Sequence, residues 1–177
     1  MLIYESPIAL GLLILILIIA GYTDIREHRI PNILTFGGLI LGLLLQSWML
    51  GGDGFLSGLA GFLIGLGIFL PFYILGKGMA AGDVKLMAAL GALLGPQLTL
   101  FAAASSLVAG SVMGIGILII RGGAAVALQR YWSTLKCFAV TGTFNYVPPR
   151  HDEAAATRFP YAIAIAAGTL FAVIWLN

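Results

Sequence analysis

Apolar residues gather into six runs, at about residues 7–22, 33–50, 55–75, 86–100, 101–120 and 160–176, and most of the charge lies in the stretches between them. The runs are too many and too long for a soluble core, so each predicts a membrane-crossing helix. Several are near or below the ~20 residues that cross hydrocarbon, which calls for tilt, local thinning or a few flanking polar residues inside the span. The fourth and fifth runs meet at Gly95-Pro96-Gln97, where glycine and proline break a stretch otherwise too long for one crossing and predict a tight hairpin. The first run has no basic residue ahead of it, and Glu5 is its upstream charge, so it reads as a retained helix rather than a secretory signal. The expected architecture is an all-α, polytopic, six-transmembrane-helix bundle forming a single domain over residues 1–177.

Between the fifth and sixth runs, Leu128, Tyr131, Trp132, Leu135 and Phe138 recur at helical spacing, with Gln129, Arg130, Ser133, Thr134 and Lys136 on the other face. This pattern predicts a cytoplasmic interfacial helix lying on the membrane surface, with an anchoring role. Small pairs four residues apart recur at Gly38/Gly42, Gly61/Gly65, Gly91/Gly95 and Gly110/Gly114. Such spacing lets helix backbones approach closely in lipid, and it implies a compact bundle.

Composition agrees with the membrane reading. Hydrophobic residues make up 60% of the chain and charged residues 9%, against roughly 25% charged in soluble domains; the mean hydropathy is +1.06. The distribution of charge says more than the net +2. All nine basic residues fall on one side of the alternating loops: Arg26 and Arg29 after the first run, Lys77 and Lys85 after the third, and Arg121, Arg130, Lys136, Arg150 and Arg158 after the fifth. Positive charge inside then places both termini outside and these three loops in the cytoplasm of a multi-pass inner-membrane protein. The lone cysteine, Cys137, excludes an internal disulfide and a four-cysteine zinc site within one chain. His151, Asp152 and Glu153 are adjacent, whereas metal ligands must converge, so they read as a solvated loop. No metal or other cofactor is expected, and lipid rather than nucleic acid is the expected environment.

Two of the seven acidic residues stand apart. Asp24 and Asp83 each sit where an apolar run meets a basic loop, on the same side of the predicted bundle. An acid at a helix end is commonly a capping or topogenic residue, yet a carboxylate at membrane depth is costly and calls for a partner. Each is the natural partner of the other. Two carboxylates within hydrogen-bond range cannot both ionise easily; the pair holds one proton, its ionised member can take a proton from water, and its protonated member can polarise a carbonyl. That is aspartyl peptide hydrolysis. Arg26 and Lys85 are simplest as topogenic charges, and a cation near the pair could also tune it. Two readings from other classes stay open: a small proton- or cation-coupled transporter, which needs a polar path across the bilayer, and, on what the family resemblance below implies, a non-catalytic assembly factor that binds pilin-like segments without cutting them.

At these residues the chain resembles the type IV prepilin peptidases, membrane aspartyl proteases of the GxGD type. The resemblance is carried by Gly21-Tyr22-Thr23-Asp24-Ile25-Arg26 with Arg29-Ile30-Pro31-Asn32, by Gly82-Asp83-Val84-Lys85-Leu86, and by the stretch from Arg158 to Gly168, which is similar to the family's last helix. It implies that Asp24 and Asp83 are the catalytic pair, that Ala80, Ala81 and Gly82 form the active-site loop, and that the substrates are prepilin-like or preflagellin-like precursors whose short basic leaders are removed at the cytoplasmic face. Larger relatives carry an amino-terminal domain with paired CxxC motifs and also N-methylate the new terminus. The chain resembles the short, peptidase-only branch. The first glycine of the GxGD signature is Ala80 here, and a requirement for positive φ at that position would penalise alanine. On that reading, Ala80→Gly frees the loop and raises the cleavage rate.

Overall fold

The computed structural model describes residues 6–75, 79–120, 129, 132, 136 and 160–176. Among them every long element is an α-helix: α1 (Pro7–Glu27), α2 (Asn32–Ile74), α3 (Ala81–Leu94), α4 (Pro96–Ile120) and α5 (Tyr161–Trp175). Three of these, α1, α2 and α4, are long and apolar enough to cross a membrane. Two compact units are present, Met1–Gly110 with Pro160–Asn177, and Ser111–Phe159. The candidate site lies in the first. In the second, the Lys136 ammonium stands 5.6 Å from the centre of the Trp132 ring. The surface helix expected at 128–138 otherwise lies outside the described residues, although Gln129, Trp132 and Lys136 are helical. His151, Asp152 and Glu153 also lie outside them.

α2 contains the second and third expected runs. As one straight rod its 43 residues would reach about 65 Å, twice the hydrocarbon thickness. It is not straight. Gly51 takes φ 65° and ψ −140°, a conformation that lacks steric cost only for glycine, and breaks the helix into arms 32–50 and 52–74. The arms fold back on each other: Gly54 abuts the Gln46 carbonyl, and a Cβ on Gly58 would come 3.0 Å from Leu43 Cδ2. The buried positions of the first arm are Thr35, Gly38, Gly42 and Gln46, and those of the second are Gly54, Gly58, Gly61, Gly65 and Phe69. Each set recurs at three or four residues and so forms one helix face.

α3 lies in the groove between these arms. A Cβ on Gly42 would stand 2.9 Å from Leu93 N, and one on Gly65 would stand 2.6 Å from the Met87 carbonyl, while Gly61 and Gly91 meet backbone to backbone. At only 14 residues, about 21 Å, α3 is covered by its neighbours along most of its length. Every residue from Leu86 to Leu94 is buried. Gln46 reaches across and donates from Nε2 to the Leu93 carbonyl at 3.0 Å.

The glycine–proline break falls where the sequence places it, but the division of residues differs. α3 ends at Leu94, Gly95 turns the chain with φ 78°, and α4 begins at Pro96. Residues 96–100, expected in the fourth span, therefore belong to the following helix. Proline suits a first turn because its missing N–H would lack an intrahelical partner anyway.

Candidate active site

Asp24 belongs to the core face of α1. The buried residues of that helix are Ala9, Leu13, Ile16, Leu17, Ala20 and Asp24, and the three- and four-residue steps carry one stripe to the last turn, where a carboxylate replaces the apolar side chain. It is 7% exposed. The chain then stops helical winding at His28, whose φ of 49° and N–H bond to the Asp24 carbonyl make a left-handed cap.

Asp83 occupies the third residue of α3 and is 3% exposed. Its Oδ2 accepts the Ala80 N–H at 2.9 Å, which satisfies a donor at the helix start. Ala80 is the cap residue itself, with φ −87° and ψ 154°, and Ala81 and Gly82 are already helical. The segment expected as a loop is thus the first turn of a helix. Ala80 is extended, so its methyl carries no positive-φ penalty, and the strain expected from alanine at this position is absent.

The two signature segments meet at this end of the bundle. Ile30 packs on Gly82, where a Cβ would stand 3.2 Å from Ile30 Cβ. Lys85 donates from Nζ to Asn32 Oδ1 at 2.9 Å and lies 5.8 Å from the centre of the Phe36 ring. Arg26 stacks over Tyr22 at 5.1 Å, within its own helix. The contacts seen for both cations therefore lead to Tyr22, Asn32 and Phe36.

Asp24 and Asp83 lie within electrostatic reach of each other. Asp83 precedes the apolar run at 86–100, and α3 is not among the helices long enough to span. Burial raises its carboxyl from the ordinary 3.8 to about 6; the Ala80 N–H works against this, and the charge of Asp24 adds to it. Two buried carboxylates, 59 residues apart in sequence, thus lie at one end of a helical bundle, and the charge of the first bears on the second. Among the described residues no group of three or more His, Cys, Asp or Glu could hold a metal.

A third element completes the surroundings. The Ala162 N–H, in the first turn of α5, donates to Asp24 Oδ2 at 2.9 Å. Sequence reasoning assigned residues 158–168 to the last helix and gave Ala162 no part in the site. The signal was a Pro160 that opens a helix, whose free N–H groups attract a carboxylate.

Comparison with known proteins identifies the family. The profile of the type IV leader peptidase family matches residues 11–115, more than half of the chain, and this stretch includes Asp24 and Asp83. The chain belongs to the type IV leader peptidase family. Among similar proteins, the prepilin leader peptidase/N-methyltransferase of Aeromonas hydrophila is 38% identical over 123 residues, covering 66% of this chain and 42% of that protein. Its counterpart in Aeromonas salmonicida strain A449 is 37% identical over the same length and shares. The chain thus spans less than half the length of these relatives. No solved structure matches it. Family membership and the three long apolar helices make this a multi-pass membrane protein of a peptidase family.

Proposed function

We propose that the chain is an aspartyl endopeptidase that removes the short basic leader from prepilin-like or preflagellin-like precursors, with Asp24 and Asp83 as its catalytic pair. The observation that carries this is the burial of two carboxylates from separate signature segments that pack together at Ile30 and Gly82, within the stretch that the leader peptidase profile matches. One proton shared by the pair suits both halves of the reaction. The ionised carboxylate takes a proton from the attacking water, and the protonated one donates a hydrogen bond to the scissile carbonyl and stabilises the charge that develops there. Burial favours the singly protonated pair, because the second negative charge would be poorly solvated beside the first. Asp24 and Asp83 act together, Ala80, Ala81 and Gly82 form the helix start that presents Asp83, and Arg26 and Lys85 anchor the cytoplasmic rim.

The proposal places the chain in the inner membrane as one transmembrane domain over residues 1–177, with six spans, both termini outside and the pair at the cytoplasmic side. This orientation rests on the nine basic residues. A basic leader in the cytoplasm would then reach the pair while the apolar part of the precursor stays in lipid. The proposal covers cleavage alone.

The test is co-expression with a type IV prepilin carrying its leader, followed by mass analysis of the mature amino terminus. Asp24→Asn and Asp83→Asn should each abolish cleavage and leave insertion intact, since asparagine keeps the shape but cannot exchange the proton. Full processing by purified Asp83→Asn protein would overturn the mechanism.

A further inference from the structure

The contact between α5 and Asp24 uses a donor that helix geometry leaves unpaired. The first four N–H groups of a helix have no acceptor inside it, and Ala162, the second residue of α5, gives its N–H to Asp24 Oδ2 at 2.9 Å. Hydrogen bonds to an ionised acceptor are the strong ones, and a helix start favours negative charge. Asp24 otherwise sits at the carboxyl end of α1, where the helix dipole disfavours a carboxylate. The start of α5 offsets that, and it fixes one carboxylate oxygen in direction.

Tyr161 is the first residue of the same helix. Its ring rests on α4 at Gly110, where a Cβ would come 2.5 Å from Tyr161 Cε2 and 2.7 Å from Cζ. Its hydroxyl donates to the Ser106 carbonyl at 3.4 Å. The ring meets Phe69 edge-on, with centroids 6.2 Å apart and an angle of 77° between planes. Phe69 is wholly buried on the second arm of α2. The residue next to the Asp24 donor is therefore held between α2 and α4, and a side chain at 110 would displace the outer end of its ring.

We propose that the Ala162 N–H is a positioning group for the catalytic pair and that Tyr161, seated on Gly110, is the positioning residue that sets it. The inference rests on the peptidase reading above and adds to the site a helix outside residues 11–115. Its function is to orient the Asp24 carboxylate toward the water that attacks the peptide bond, so its effect belongs in the chemical step rather than in substrate binding.

Three measurements on the full chain in membranes test it. Replacing Ala162 by lactic acid, through stop-codon suppression, exchanges the N–H for an ester oxygen and leaves every side chain in place. With a type IV prepilin as substrate, kcat should fall roughly ten- to hundredfold while KM stays within about twofold. An unchanged kcat, or a change confined to KM, overturns the inference. Gly110→Ala should also lower kcat, and adding Tyr161→Leu should restore part of it, because leucine vacates the space that the new methyl needs. Losses that simply add would mean that the seat does not act through Tyr161. The third readout needs no activity: the Ala162 amide should be protected from hydrogen exchange in the unmodified protein and lose that protection in Asp24→Ala. Equal protection in both overturns the clamp. If the unmodified protein cleaves no prepilin, the peptidase reading fails, and the exchange measurement still decides the contact.

Discussion

Asp83 links residue chemistry to stability. Its carboxyl is raised to about 6 in the folded chain from 3.8; a group raised on folding contributes stability below its unfolded value and loses it as pH rises through the folded one. Thermal unfolding in detergent should therefore show falling stability across the window from about 4 to about 6, then a plateau. Asp83→Asn should flatten this part of the profile, and an unchanged slope in that variant would place the titrating group elsewhere. Ala80 yields a second expectation. With φ at −87°, glycine offers no relief from strain, so Ala80→Gly should leave the cleavage rate within about twofold of the parent. Serine at the same position can accept a first-turn N–H and should stabilise the protein by about 1 kcal/mol, read from unfolding in detergent.

The elements depend on glycine for contact more than for conformational freedom. Apolar burial gives helices little reason to associate in lipid, so packing distance decides. Gly61 and Gly91 bring the second arm of α2 and α3 together with no side chain between them. Gly61→Ala should destabilise the bundle by about 1–3 kcal/mol, because the methyl would overlap the Gly91 carbonyl, and backbone cannot rotate out of the way as a side chain can. Gly67 is on the same arm, and a Cβ there meets nothing within 4 Å among the described residues. Gly67→Ala should be neutral or slightly stabilising, since alanine favours the helix. Unfolding of both variants in mixed micelles makes the comparison, and equal effects would reject close packing as the cause.

For the whole molecule, the orientation proposed above follows from the disposition of nine basic residues and can be tested directly. A reporter that works only outside the cytoplasm should be active when fused after Asn177, and a cytoplasmic reporter should be active when inserted near Pro149. The opposite pattern would put Asp24 and Asp83 on the wrong face for a cytoplasmic leader. This orientation is a property of the sequence, because loop charge acts during insertion, before the helices pack. So are the helices themselves, since lipid leaves the backbone no other partner than its own carbonyls, and so are the breaks at Gly51 and Gly95, where glycine permits a combination of φ and ψ that other residues avoid. The two acids were legible for a related reason, as charges at the ends of apolar runs. The glycine pairs marked inner faces, yet the sequence could not say which helix lies against which, because a small residue permits close approach without naming the partner it meets. Only the tertiary structure put α3 between the arms of α2, showed Ala80 to be extended and aimed the Ala162 N–H at Asp24. The first and last of these depend on contacts between distant residues, and a backbone donor leaves no trace in the identity of the side chain that carries it.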